Sequence, residues 1–85
     1  MNLNKHTEIW INNNILKDTT SVTRFKDIYH AYTRFMAKSE VIADSQSAFG
    51  RTLRHICKDD VESNKIQIVN RGGLIYRGVK LNGFH

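Results

Sequence analysis

The sequence predicts a small α+β domain in which three helices precede a two-stranded β-hairpin. Two patterns support this prediction: apolar residues recur at helical spacing through roughly the first two thirds of the chain, and they alternate in its last third. A length of 85 residues, 40% of them hydrophobic and 25% charged, is typical of one globular domain with a compact core. We therefore expect residues 1–85 to form a single domain.

The first helix is expected to be short. A helix over residues 6–13 would turn Ile9 and Trp10 inward, and a run of three asparagines favours its end. The small polar residues at 18–21 favour a loop. Residues 21–23 favour a brief extended segment before the next helix.

The second helix has the strongest periodic pattern. Its apolar residues follow the i, i+3, i+4, i+7 rule over more than two turns: Phe25, Ile28, Tyr29, Tyr32, Phe35 and Met36. Charged residues occupy the remaining positions, so we expect an amphipathic surface helix. An aromatic stripe at this spacing is typical of a core, and we predict that these side chains point inward.

The third helix is expected to have one apolar and one cationic face. Several N-cap candidates lie at residues 44–47, and the helix should reach about Lys58. At roughly 100° per residue, the apolar residues cluster on one side: Phe49, Leu53, Ile56 and Cys57. The basic residues cluster on the other side: Arg51, Arg54, His55 and Lys58. No acidic residue occurs from Ser45 to Lys58, whereas an ordinary solvated face mixes both signs, so we expect this face to contact nucleic acid.

The last third of the sequence predicts the hairpin. Ile66 and Ile68 share one face of a strand, residues 70–73 (Asn-Arg-Gly-Gly) favour a turn, and an extended run follows over 74–81. Three basic residues lie on this hairpin: Arg71 at its tip, and Arg77 and Lys80 on its returning strand. The predicted order of helix, short strand, helix, helix and hairpin is that of winged helix-turn-helix domains.

Charge and cysteine content limit the classes of function. The net charge is +5, and it is uneven: residues 1–50 hold six Lys and Arg against five Asp and Glu, and residues 51–85 hold seven against three. This distribution indicates a polyanionic partner for the second half. The single cysteine, Cys57, excludes an internal disulfide and indicates a reducing compartment. Because no stretch resembles a signal peptide or a membrane span, we expect a cytoplasmic protein, or a nuclear one in a eukaryote, with no membrane partner.

Residues that could serve catalysis or metal binding do not form a known pattern. His55 and Cys57 would lie roughly 200° apart around a helix, so they cannot hold one ion together. Asp59, Asp60 and Glu62 resemble a carboxylate cluster for metal-assisted phosphodiester cleavage, but we expect them in a connecting loop. The sequence also lacks a phosphate-binding glycine loop, a nucleophile elbow and a deaminase signature. We expect no catalytic residue, no metal and no cofactor, and so no enzyme.

Three short motifs resemble those of a known family. They are Ile-Tyr-His-Ala-Tyr at 28–32, Ser-Ala-Phe-Gly-Arg-Thr-Leu-Arg at 47–54, and Arg71-Gly72 followed by Tyr-Arg-Gly-Val-Lys-Leu at 76–81. Together they resemble the RFX-type winged-helix domain, and also the winged domain that ends helicase-primases of phages, plasmids and poxviruses. The resemblance covers nearly the whole chain, and its most specific piece is Phe-Gly combined with the Tyr-x-Gly-aliphatic segment.

This resemblance implies a DNA-binding domain. In RFX domains the wing reads the major groove while the third helix lies toward the minor groove. Here only three residues separate Arg71-Gly72 from Tyr76, fewer than in RFX domains, and the basic and aromatic groups of their wing are missing. The shorter hairpin is nearer the helicase-primase version, which implies a role in replication or transcriptional regulation of a mobile element or virus.

We predict from these observations a protein that binds duplex DNA. The residues expected to contact DNA are Ser45, Gln46, Ser47, Arg51, Arg54, His55, Lys58, Arg71, Arg77 and Lys80. The first three would supply donors at a helix start, the helix cations would contact backbone or groove, and the last three would act from the wing. Two alternatives stay open: a module that docks a replication or transcription protein through exposed apolar surface, and a single-strand binder, which would need an exposed aromatic platform. The oligomeric state is left open, and a homodimer is compatible with the sequence.

Overall fold

The computed structural model describes residues 4–82, which form four helices and three strands. In chain order they are α1 (Lys5–Asn14), β1 (Ile15–Arg24), α2 (Phe25–Lys38), α3 (Gln46–Ile56), α4 (Lys58–Glu62), β2 (Gln67–Asn70) and β3 (Leu74–Leu81). The strands form one antiparallel sheet in the order β1-β3-β2, and the core lies where α1, α2 and α3 meet this sheet. The predicted α+β class is confirmed. The structure also contains a fourth helix that the sequence did not predict. The early strand, β1, and the hairpin belong to one sheet.

α1 begins at a side-chain cap and buries a narrow stripe. Asn4 Oδ1 accepts a hydrogen bond from an amide of the first turn at 2.9 Å. The buried stripe runs at helical spacing through Thr7, Trp10 and Ile11. Ile9 lies outside this stripe and is 51% exposed, so the prediction that Ile9 points inward is wrong.

β1 follows α1 without a loop and is longer than the sequence indicated. It begins at Ile15, whereas only residues 21–23 were predicted to be extended. The register of β1 with β3 shifts between Lys17 and Val22. The polar residues 18–21 thus interrupt the regular pairing of the strand. The predicted loop is therefore an irregularity inside a strand.

Gly78 on β3 lies opposite this irregularity, and its backbone suits glycine alone. Its φ of +98° falls in a region that side chains with a Cβ rarely adopt. A Cβ at this position would also collide with the backbone carbonyl oxygen of Lys65. The segment just before β2 can therefore lie this close to β3 only because residue 78 is glycine.

The aromatic stripe of α2 forms the centre of the core. Four of its predicted members are buried: Phe25, Ile28, Tyr32 and Met36. Tyr29 is half-buried, but Phe35 is 50% exposed, so its assignment to the core is wrong. The ring of Tyr32 stacks on Phe49 of α3, with centroids 4.4 Å apart, and meets Trp10 of α1 edge-on at 5.5 Å. The periodic stripe is wider than the surface these neighbours cover, and Phe35 lies at its uncovered edge.

α3 ends at Ile56 rather than near Lys58. Cys57 separates it from α4, a five-residue helix that occupies the stretch predicted to be a loop, so that prediction is wrong. The first turn of α4 is acidic, which suits the positive end of a helix. Its Asp60 also lies 3.0 Å from Nζ of Lys17, and this ion pair links α4 to β1.

The predicted hairpin is confirmed as β2 and β3. The two strands pair from Gln67 with Arg77 to Asn70 with Leu74. Both turn glycines, Gly72 and Gly73, have positive φ angles of +67° and +141°. The side-chain oxygen of Asn70 accepts a hydrogen bond from the amide of Gly73 at 3.3 Å, which closes the turn.

Candidate nucleic-acid interface

The start of α3 is fixed by a serine cap. Ser45 Oγ accepts a hydrogen bond from the amide of Ala48 at 3.2 Å. Ser45 was predicted to contact DNA, and in the structure its hydroxyl caps the helix. Within the described residues, the amides of Gln46 and Ser47 have no acceptor, and both residues are exposed. Two backbone donors at the positive end of the helix dipole are therefore free for an anion.

The two faces of α3 match the sequence prediction over most of its length. Phe49 and Leu53 are fully buried, which holds one side against the core. The opposite side is exposed and basic, and it consists of Ser47, Arg51, Arg54 and His55. Lys58 was predicted to extend this row, but it begins α4 after the break at Cys57. Lys58 is exposed, and it no longer continues the helical face of α3.

The position of α3 relative to α1 and α2 depends on Asp44. Its carboxylate accepts hydrogen bonds from Nδ2 of Asn4 at 2.9 Å and from Oγ1 of Thr7 at 2.7 Å. Its backbone amide donates to Oη of Tyr32 at 2.7 Å, and its carbonyl oxygen accepts from Oη of Tyr29 at 2.8 Å. The sequence predicted Asp44 only as a possible helix cap. Nothing in the local pattern indicated that this residue ties the start of α3 to two other helices.

Two lysines of the sheet form ion pairs with carboxylates. Within residues 4–82, two ion pairs are present: Lys17 with Asp60 and Lys80 with Asp18. Hydrogen bonds from Thr20, with a smaller contribution from Lys80, lower the pKa of Asp18 from 3.8 to about 2. The charge of Lys80, a predicted DNA contact, is thus partly balanced inside the protein.

The predicted arginines have no such partner in the part of the chain that the structure describes. No carboxylate lies within salt-bridge distance of four of them: Arg51, Arg54, Arg71 and Arg77. All four are exposed. Their guanidinium groups therefore remain available to an external anion, since an Arg fork can bind a phosphate through two parallel hydrogen bonds.

The hairpin arginines lie apart from those of α3. Arg71 is at the tip of the turn. Arg77 follows Tyr76, which is buried against Phe25, so alternation along β3 turns Arg77 to the sheet face away from the helices. The ten predicted residues therefore divide between the start of α3, its basic face, Lys58, the hairpin tip and the outer face of the sheet.

A cleft of about 280 Å³ joins α3 to β3. Gln46, Ser47 and Arg54 line it from the helix, and Leu74 and Tyr76 line it from the strand. The sequence did not predict this apposition, because the two sides are 20 to 30 residues apart in the chain and no local pattern connects them. The cleft brings the start of α3, one of its arginines and the start of the returning strand to one place.

Two buried titratable groups beside α3 are held neutral. Burial raises the pKa of the Cys57 thiol from 9.0 to about 11, so the thiol is protonated at neutral pH and poorly suited to bind metal or act as a nucleophile. Burial likewise raises the pKa of Tyr76 from 10.0 to about 12. Its hydroxyl is buried and has no hydrogen-bond partner among the described residues. Within residues 4–82, no three His, Cys, Asp or Glu side chains are grouped as a metal site would require.

Comparison with known proteins found no match to this chain among protein-family models, curated proteins or solved structures. The resemblance to RFX-type and helicase-primase winged domains therefore stays a prediction from the sequence motifs. None of the helices between residues 4 and 82 is long and apolar enough to cross a membrane.

Proposed function

We propose that the chain is a winged-helix domain that binds duplex DNA mainly through α3, with the β2–β3 hairpin as its wing. The order of α1, β1, α2, α3 and the hairpin supports this proposal, because it is the order expected of a winged helix-turn-helix domain. The pairing of β1 with β3 also supports it, because it puts the hairpin in one sheet with the strand that precedes α2. In this proposal α4 is a short insertion between the recognition helix and the wing.

The observation that supports DNA binding most strongly is the unpaired basic face of α3. Arg51 and Arg54 are exposed, and the helix contains no acidic residue that could neutralise them. Among residues 4–82, Lys17 and Lys80 are paired with carboxylates and these two arginines are not. A surface that retains its positive charge in this way is suited to releasing counterions from a phosphate backbone.

The geometry of α3 suits a groove or a phosphate row. Ser47, Arg51 and Arg54 lie at i, i+4 and i+7, so they form a stripe about 10 Å long at 1.5 Å per residue. A major groove about 12 Å wide admits such a helix. The free amides at the start of α3 would add backbone contacts to one phosphate. Arg71 and Arg77 would approach the duplex separately, from the wing.

Aromatic burial favours duplex over single-stranded DNA. Single-strand binding uses aromatic rings on an exposed platform. Here the rings of Trp10, Tyr32, Phe49 and Tyr76 are each at most 3% exposed. Phe35 is half-exposed, but it lies on α2 rather than on the basic face of α3.

A binding titration with three labelled probes of one length tests the proposal: random duplex DNA, single-stranded DNA and RNA. We expect the duplex to bind most tightly, with a slope of log K against log salt of roughly −3 to −5 for about four or five neutralised phosphates. A slope near zero, or tighter binding of single strands, would contradict the proposal.

A further inference from the structure

Two adjoining clefts lie between α1 and α2, and nothing in residues 4–82 fills them. Their volumes are about 270 Å³ and 260 Å³, and they share Trp10, Asn14 and Phe35 as walls. Ile9 lines the second cleft together with Phe35. The pair of clefts, called the α1–α2 groove below, has no lining residue in common with the cleft between α3 and β3.

The α1–α2 groove exposes large apolar side chains at its walls. Ile9 is 51% and Phe35 50% exposed, although the sequence pattern of each helix predicts that they point inward. A contiguous apolar surface edged by polar groups is typical of an interaction site, whereas a single exposed apolar residue is not. The fold leaves uncovered two residues that the sequence pattern assigns to burial.

The charge at the edge of the groove indicates what covers it. Arg34 and Lys38, one helical turn apart on α2, line the first cleft beside His30. Among the described residues neither cation has a carboxylate partner. Among the residues that line the two clefts one is acidic, Asp27, and it lines the first cleft. The edge is therefore cationic, and it complements an acidic partner.

We infer that the α1–α2 groove docks a partner protein through an acidic amphipathic helix. Such a helix presents apolar side chains at i, i+3, i+4 and i+7, which can enter the two clefts on either side of Phe35. Its acidic residues then lie beside Arg34 and Lys38. A second copy of this chain is a poorer occupant, because two molecules of net charge +5 repel each other. DNA is a poorer occupant as well, since most of the groove wall is apolar.

The groove and the α3 face are separate, so one molecule can hold DNA and a protein partner together. Loss of groove binding would therefore leave DNA binding intact. Failure of the proposed DNA function would equally leave the groove inference standing.

A designed helical peptide of about 18 residues tests the inference, with leucine at i, i+3, i+4 and i+7 and glutamate at most other positions. A matched peptide with lysine in place of glutamate is the control. By fluorescence anisotropy at moderate salt, we expect the acidic peptide to bind about tenfold more tightly than the basic one. We expect amide shift changes in the NMR spectrum to concentrate in α1 and α2.

Two groups of variants locate the binding surface. Phe35→Ala, Ile9→Ser and the double variant Arg34→Ala/Lys38→Ala should each weaken the acidic peptide by about fivefold or more. Ile9 and Phe35 are half-exposed, so we expect these variants to fold, and thermal melts are the check. The double variant Arg51→Ala/Arg54→Ala removes the same charge elsewhere and should change the peptide affinity by less than about twofold.

Three outcomes would overturn the inference. The first is equal binding of the two peptides, or no binding. The second is loss of binding in the Arg51→Ala/Arg54→Ala variant, which would show that the peptide acts as a polyanion at α3. The third is self-association of the chain, measured by sedimentation, that Phe35→Ala abolishes and that prevents binding of the peptide. Such a result would make a second copy the occupant.

Discussion

Thr7 on α1 and Tyr32 on α2 are both fully buried, and their hydroxyl oxygens lie 2.8 Å apart. Thr7 donates its proton to the carboxylate of Asp44, so in this pair Tyr32 must donate to Thr7. The amide of Asp44 in turn donates to Tyr32. The three residues thus form a closed ring of hydrogen bonds that fixes the segment immediately before α3.

Removal of either hydroxyl from this ring should destabilise the fold. Tyr32→Phe leaves the amide of Asp44 without an acceptor, and Thr7→Val leaves the hydroxyl of Tyr32 without one. Each change nearly preserves shape, so the cost is that of an unsatisfied buried group, about 1 to 3 kcal/mol of unfolding free energy. Urea unfolding at pH 7 measures it. An unchanged midpoint in both variants would mean that the ring does not hold the helices together.

Tyr76→Phe should behave in the opposite way, although Tyr76 is buried as deeply as Tyr32. Its hydroxyl has no partner among the described residues, so its removal should leave stability at neutral pH unchanged or slightly raised. The pKa of Tyr76 rises from 10.0 to about 12 on folding, so its ionisation leaves stability unchanged below pH 10 and lowers stability progressively as the pH rises toward 12. We therefore expect Tyr76→Phe to lose less stability than the wild type between pH 10 and 12. Equal alkaline losses would show that this hydroxyl does not titrate with unfolding.

Two glycines should respond differently to alanine. A Cβ at Gly50 in α3 would meet the ring of Phe25 at 3.4 Å, an ordinary contact, so Gly50→Ala should stabilise the protein by about 0.5 to 1 kcal/mol through helix propensity. Gly78 has a positive φ and no room for a Cβ, so Gly78→Ala should cost about 2 kcal/mol or more. Thermal and urea unfolding of both variants test the contrast. Destabilisation by Gly50→Ala similar to that by Gly78→Ala would mean that α3 packs more tightly on α2 than described.

The sequence predicted the elements that local periodicity determines. α2, α3 and the hairpin each repeat their pattern over several residues, and the Asn-Arg-Gly-Gly turn has its own local signature. β1 was mostly missed, because its residues 18–21 are polar and its pairing partner lies more than 50 residues away on β3. α4 was missed because five residues are too few for a helical repeat.

For the candidate site, the sequence predicted which residues of α3 form its basic face, but not how distant elements surround that face. The basic face of α3 follows from helical spacing, and its residues are exposed as expected. Periodicity alone could not show that Ile9 and Phe35 stay uncovered, since coverage depends on how wide a surface the neighbouring elements supply. It also could not place Arg54 and Leu74 at one cleft, or Asp44 between two helices, because these arrangements join distant parts of the chain.

The affinity of two charge-matched double variants for one random duplex tests the account most directly. Arg51→Ala/Arg54→Ala removes two positive charges from α3, and Arg34→Ala/Lys38→Ala removes two from α2. At about 1 kcal/mol for each contact, we expect the α3 variant to bind about thirtyfold more weakly, while the α2 variant stays within about threefold of the wild type. We expect both variants to remain folded, and circular dichroism is the control. Wild-type affinity in the α3 variant, or equal losses in the two, would contradict the claim that α3 is the DNA-binding element.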